Sequence, residues 1–159
     1  MPVIIDGYNL LRAIEKLGLT QITDVKMCHV ISRYLKSNDE WGVIVFDGIG
    51  PRDKSAFHFS HVDVVFSGSN TDADSVIEKE IAESSAPKKL TVVSSDRRIR
   101  LAAKKRKAPD VKSDAFWHQI IQFMAMQTRE RGRTEPREKF EGISEAETEQ
   151  WLKIFGFKK

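Results

Sequence analysis

Val3-Ile4-Ile5-Asp6-Gly7-Tyr8-Asn9 sets the frame for the whole chain. Three branched apolar residues in succession suit a strand buried on both faces. The charge arrives only where such a strand stops. Gly7 permits a sharp exit, and Leu10, Leu11, Ile14 and Leu17 then recur at helical spacing. Asp6 is therefore expected at the carboxyl end of a central strand, beside the start of a helix. In open α/β sheets that edge is where ligands bind.

The pattern repeats outward from this stretch. Val43-Ile44-Val45-Phe46 is a second buried run and ends in Asp47-Gly48. Val62 to Phe66 reads as a third strand leading into the loop Ser67-Gly68-Ser69-Asn70, and Leu90 to Ser94 as a fourth, followed by Ser95 and Asp96. Val111 adds a short strand. Between them lie a helix capped by Thr23 or Asp24, one from Thr71 or Asp72 to about Ser84, and one from Arg97 to Lys107 that Ala108-Pro109 stops. Ser113 opens another, carrying Phe116, Trp117, Ile120, Ile121 and Met124. Strands alternating with helices predict an α/β fold with a mostly parallel sheet and helices on both faces.

The 159 residues suit one folded domain, at 1–127. Composition then shifts. Residues 128–142 mix arginines, glutamates, Gly132 and Pro136 with few apolar side chains, and read as a charged flexible linker. In 143–159, Ser144-Glu145-Ala146-Glu147 forms a capping box that opens a last helix with Trp151, Leu152 and Phe155 as its apolar stripe. That helix suits docking on a partner, such as a ribosome-associated protein, or folding back on its own domain. Cys28 is the only cysteine, which rules out an internal disulfide and fits a reducing compartment. With no signal peptide and no long apolar run, the expectation is a cytoplasmic protein without a membrane span. The net charge of +3 leans basic.

Asp6, Asp47 and Asp96 each follow a strand, so parallel neighbours would collect them on one sheet edge. On the helix after Asp72, Asp74 and Glu78 share the stripe of Ile77 and Ile81, the buried side. Aspartates after strands also cap helices, and Asp-Gly is an ordinary turn pair. Asp74 is not at a capping position, however, and Glu78 repeats it one turn later. Clustered carboxylates repel and raise one another's pKa unless a cation sits among them. An all-oxygen set suits magnesium or manganese, which serve phosphodiester hydrolysis.

Next to Asp96 the charge reverses. The segment from Arg97 to Lys107 holds seven positive and no negative side chains. Arg97, Arg100, Lys104 and Lys107 share one face, while Ile99, Ala102 and Ala103 take the other. Such a face is either solvated or binds nucleic-acid phosphates without regard to sequence. Tyr8, beside Gly7, is placed to stack on a base or to pack at the helix start. The four histidines form no convincing site.

These residues resemble a known family. Val-Ile-Ile-Asp6-Gly7-Tyr8-Asn9-Leu, Thr71-Asp72-Ala73-Asp74-Ser-Val-Ile77-Glu78 and Val-Val-Ser-Ser95-Asp96-Arg, in that order, look like the NYN domain, in its YacP-like branch within the PIN-like nuclease superfamily. The resemblance covers roughly residues 2 to 125. It implies a PIN-like, Rossmann-like three-layer fold with a four- or five-stranded sheet, a magnesium or manganese pocket, and action on RNA. Asp6, Asp74 and Asp96 match the pocket's acidic residues, Asn9 the asparagine after the first strand, and Asp47 a frequent additional aspartate.

The expected function is therefore a metal-dependent ribonuclease acting on single-stranded RNA. Asp6, Asp74 and Asp96 would hold the ion, with Asp47 and Glu78 in support. Asn9 would orient water or a phosphate oxygen, and Arg97, Arg100, Lys104 and Lys107 would anchor the strand. A non-catalytic RNA-binding module is the alternative. A phosphatase of the haloacid dehalogenase type would want a second aspartate where Tyr8 stands.

Overall fold

The computed structural model describes residues 2–19 and 21–131. Five strands, β1 (Pro2–Asp6), β2 (Trp41–Phe46), β3 (Val62–Phe66), β4 (Thr91–Val93) and β5 (Asp110–Val111), form one parallel sheet in the order β3-β2-β1-β4-β5. The helices are α1 (Gly7–Lys16), α2 (Asp24–Ser37), α3 (Ala73–Glu83), α4 (Arg97–Lys105) and α5 (Ser113–Arg131). The sheet lies between two helical layers, giving a three-layer α/β fold.

The opening stretch is apolar throughout because β1 is central and covered on both sides. Successive strand side chains point to opposite faces. Val3 and Ile5 join one core with Leu10, Ile31, Phe46 and Trp117, beneath α1, α2 and α5. Ile4 joins the other, with Ile77 and Ile81 of α3 and Ile99 and Ala103 of α4. Each fully buried side chain of this size contributes about 1.5–3 kcal/mol. Buried Cys28 belongs to the first core, where burial pushes its thiol up to about 12 and keeps it neutral.

The chain lays down β1, β2 and β3 in one direction, then returns to set β4 against the other side of β1. α1 leaves β1 on one face, and α4 leaves β4 on the opposite face. Their starts flank the carboxyl ends of β1 and β4, the point at which an open α/β sheet has its crevice.

The caps settle two alternatives in the sequence. Thr23 caps α2 by accepting from the Lys26 N–H at 3.2 Å, and Asp72 caps α3 by accepting from the Ser75 N–H at 2.6 Å. At the other end, α5 continues to Arg131, so the linker boundary expected at residue 128 falls inside a helix. Thr128 turns its hydroxyl back onto the Met124 carbonyl at 3.0 Å and so stays within the helical ladder. The rest of the proposed linker and the proposed terminal helix lie outside the described residues. No helix among those described is long and apolar enough to cross a membrane.

Gly7 is needed for close approach. A Cβ there would stand 2.6 Å from the Phe46 ring. That ring is fully buried and hemmed in by Tyr8, Phe57 and Phe66, so it has no room to yield. Gly7→Ala is expected to lower unfolding stability by about 1–3 kcal/mol despite alanine's better helix propensity. Urea denaturation followed by circular dichroism measures this; an unchanged or raised midpoint contradicts the packing argument.

Candidate active site

One hydroxyl joins the ends of β1 and β4. The Asp96 N–H donates to Ser94 Oγ at 3.0 Å, and Ser94 Oγ lies 3.2 Å from Asp6 Oδ2. A backbone N–H can only donate, so Ser94 spends its own proton on Asp6. Asp6 Oδ1 accepts the Asn9 N–H at 3.2 Å and caps α1. Asp96 Oδ1 caps α4 through the Arg98 and Ile99 N–H groups, at 2.7 and 3.4 Å. Both carboxylates thus sit at helix N-termini, where the macrodipole favours negative charge.

Asn9 locks a third element to this pair. Its Oδ1 accepts from the Ser95 N–H at 2.9 Å and from Ser113 Oγ at 2.7 Å, while the Ser113 N–H donates to Ser95 Oγ at 3.1 Å. The Ser95 N–H is an obligatory donor, which fixes the amide orientation. The Nδ2 end has no acceptor among the described residues and remains available for a ligand.

Asp74 and Glu78 share the inward flank of α3, as their spacing predicts, and both are half-buried. They meet a cation whose role the sequence does not single out. Arg98 Nε and Nη2 grip Glu78 Oε1 and Oε2 at 2.9 and 2.7 Å, a bidentate pair. Its Nη1 stands 3.9 Å from both Asp72 Oδ2 and Asp74 Oδ2. Arg98 lies off the basic face counted on the helical wheel, on the flank of Ala102, which packs into the second core. Glu78 is therefore engaged by Arg98.

Asp47 is fastened differently. Its Oδ1 accepts the Ala73 N–H at 3.1 Å and the Ser67 hydroxyl at 3.2 Å, tying the end of β2 to the start of α3. With Asp72 it lines an open groove of about 630 Å³, completed by Gly48, Ile49, Gly68, Ser69, Asn70 and Thr71. The groove is built from the segments that follow β2 and β3 and lead into α3, and its lining includes none of Asp6, Asp74 and Asp96.

The basic residues separate. Arg97 is exposed at the first position of α4. Arg100 Nε turns inward to Asp110 Oδ2 at 2.6 Å. Lys104 and Lys107 stand at the far end of α4, away from the carboxylates. Tyr8 is 38% exposed, with its ring edge-on to Phe46 at 5.1 Å, so it packs and presents a face at once.

A family profile for the YacP-like NYN domain matches residues 3–155. The chain belongs to the YacP-like NYN family, within the PIN-like nuclease superfamily. The fold is shared with crystal structures of Rae1 (YacP) from Bacillus subtilis. A mutant form is 20% identical, with a TM-score of 0.61 over 97% of this chain and 92% of that one. Another structure is 21% identical, with a TM-score of 0.65 over 84% and 80%. No protein of curated function matches.

The candidate site is electrostatically strained. Burial raises the pKa of Asp6, opposed by the Asn9 N–H and Ser94 hydroxyl and reinforced by the charges of Asp74 and Asp96. Burial also raises that of Asp74, with Asp96 adding to it and Arg98 offsetting it. The three aspartates therefore share one electrostatic neighbourhood. The family implies a divalent cation, and this hard, all-oxygen donor set, whose negative charge is only partly offset, fits magnesium or manganese. Among the described residues no three His, Cys, Asp or Glu side chains stand close enough to grip one ion together. Magnesium retains several waters and needs only one or two direct carboxylates.

The raised pKa values give a pH signature. The folded state holds these protons more tightly than the unfolded chain, so their contribution to stability is complete below the ordinary value of 3.8 and is lost as pH rises through the raised values. Asp72 is shifted the other way by its bonds to Ser75, so its contribution is lost only as pH falls below 3.8. In chelator, the melting temperature of Asp6→Asn relative to the parent is expected to climb as pH rises from about 4 towards neutrality. A difference that stays constant or shrinks over that range contradicts the raised pKa of Asp6, which burial chiefly causes.

Proposed function

We propose that this protein is a metal-dependent ribonuclease that hydrolyses phosphodiester bonds of single-stranded RNA in the crevice between β1 and β4. The observation that carries this reading is the Asp96–Ser94–Asp6 link, with Asp74 adding its charge to both carboxylates. Asp6, Asp74 and Asp96 would hold the ion, directly or through water. When bound, magnesium or manganese lowers the pKa of water and offsets charge growing on the phosphate.

The remaining work falls to the chain. The N-termini of α1 and α4 are taken by Asp6 and Asp96, so the phosphate is left to side-chain donors at the crevice. Asn9, its oxygen already committed, donates from Nδ2 to a phosphate oxygen. Arg97 anchors the adjoining phosphate. Arg98 is a positioning residue: it fixes Glu78 and stands between Asp72 and Asp74 as their counter-charge. Asp47 and Glu78 support the site through the start of α3 and through Arg98. The groove beside the site, with two carboxylates and the exposed Ile49, repels phosphates and suits bases, so the strand would lay its bases there next to Tyr8. An exposed backbone is what such a crevice admits, which favours single strands over A-form duplex. A cytoplasmic setting suits a free, buried cysteine.

A non-catalytic RNA-binding module is the second reading, favoured by the spacing of the carboxylates. Labelled single-stranded RNA separates the two. Cleavage is expected with manganese or magnesium, lost in chelator and restored on re-addition, and reduced about 10²-fold or more in Asp6→Asn and Asp96→Asn. Binding without cleavage supports the module, and cleavage that survives both substitutions sinks the assignment.

Arg98→Ala removes the counter-charge. Half-maximal cleavage is expected at a lower ion concentration than in the parent, with a reduced maximal rate, and Arg98→Lys recovers only part of that rate because it cannot make the bidentate contact. An unchanged ion requirement refutes the positioning role.

A further inference from the structure

The basic segment after Asp96 has two ends with different surroundings. Its first turn lies at the candidate site, where Asp96 caps it. Nine residues later, about 13 Å along the axis, it ends at the opposite edge of the sheet. There Lys104, Lys105, Arg106 and Lys107 are all exposed.

A second basic pair lies next to them. The turn Pro87–Lys89 leads into the amino end of β4 and carries exposed Lys88 and Lys89. Arg106 Nη2 donates to the Ser84 carbonyl at 2.9 Å, joining the carboxyl ends of α3 and α4 just before that turn. The Val92 N–H donates to the Pro109 carbonyl at 2.8 Å, fixing β4 beside the segment that follows Lys107. Fold topology thus gathers two basic stretches, separated in sequence, at one edge.

The charge there is unbalanced. No acidic residue occurs between Ser84 and Ser95 or between Arg97 and Pro109. Glu83, the nearest acid before the turn, faces Lys79 at 3.9 Å. Lys88, Lys89, Lys104, Lys105 and Lys107 have no carboxylate partner among the described residues. The macrodipole of α4 favours the lysines of its last turn. It does not account for Lys88 and Lys89, which lie outside the helix, or for Lys107. Lys107 takes a left-handed φ of 58° beyond the helix end, where glycine costs least.

We propose that this edge is a second nucleic-acid surface, opposite the candidate active site, which holds the phosphate backbone of a longer RNA while the crevice engages a separate part of it. Exposed lysines on flexible stems suit phosphates as point charges and carry no base reading. The inference rests on the RNA reading for the kind of polyanion, and it is independent of catalysis.

The test is a triple variant, Lys88→Gln, Lys89→Gln and Lys105→Gln, none of whose side chains makes a hydrogen bond or ion pair among the described residues. Fluorescence anisotropy with a labelled mixed-sequence RNA of about thirty nucleotides is expected to show affinity about tenfold weaker at about 0.1 M salt. The slope of log K against log salt is expected to shrink by about 0.7 for each phosphate that the variant no longer neutralises. Cleavage of a labelled RNA of about four nucleotides, too short to span both edges, is read in parallel, and the melting temperature checks the fold. Weakened long-RNA binding with a shallower slope supports the proposal, whether or not the short RNA is cleaved. Unchanged affinity and slope overturn it and leave the edge to an acidic protein surface. A short-RNA assay in which the parent itself is inactive counts against the nuclease reading alone.

Discussion

The Ser94 hydroxyl donates to Asp6 while accepting the Asp96 N–H, and through that one oxygen the carboxyl ends of two neighbouring parallel strands are tied together. The tie is possible only because β4 returns to the side of β1 that β2 leaves open. It also explains how a carboxylate only 7% exposed is tolerated at the end of a central strand. Asp6 has a helix N-terminus against one oxygen and a hydroxyl against the other. These bonds offset part of the desolvation that burial imposes. Burial still outweighs them, the charges of Asp74 and Asp96 add to it, and a carboxylate held at this cost is a local signature of a site built for something positive.

The same economy runs through α4. Of its arginines, Arg98 faces α3 and Arg100 faces Asp110, so two cations that look alike in the sequence are engaged by carboxylates of neighbouring elements. Arg97 meets solvent at the crevice with no carboxylate partner among the described residues, and the lysines meet it at the opposite edge. Seven charges in eleven residues therefore do three different jobs. Charge density along a sequence shows that a helix is basic, but the partners that sort its members come from α3 and β5, elements outside that helix.

That contrast marks what the sequence makes legible. Periodicity reveals the strands, the helices and the two-faced burial of β1, because alternating and helical spacing are properties of short windows. The placement of Asp6 and Asp96 at neighbouring strand ends, and of Asp74 and Glu78 on the stripe of Ile77, is legible for the same reason: strand ends in a parallel sheet share an edge, and helical spacing sets a face. The clamp of Asn9, Ser95 and Ser113 is not legible, since it depends on strand order and on where α5 begins. Ser94 and Ser95 stand in view before Asp96, yet a serine after a strand has no visible partner until β1 is known to be its neighbour. Glu78 and Arg100 look like free groups in the sequence because an ion pair across elements leaves no mark at helical spacing.

Asn9 shows how far this constraint reaches. Its side-chain oxygen binds α1 to the end of β4 and the start of α5, so the three segments that frame the crevice are held as one unit. Two donors on one oxygen leave the nitrogen as the amide's outward chemistry, a donor facing a site otherwise dominated by acceptors. A cluster of carboxylates alone would repel a phosphate. With the helix N-termini taken by Asp6 and Asp96, an uncommitted amide donor and Arg97 at the rim give the anion something to hold, and the carboxylates are left to hold the cation. The division of labour follows from which atoms the fold has already used.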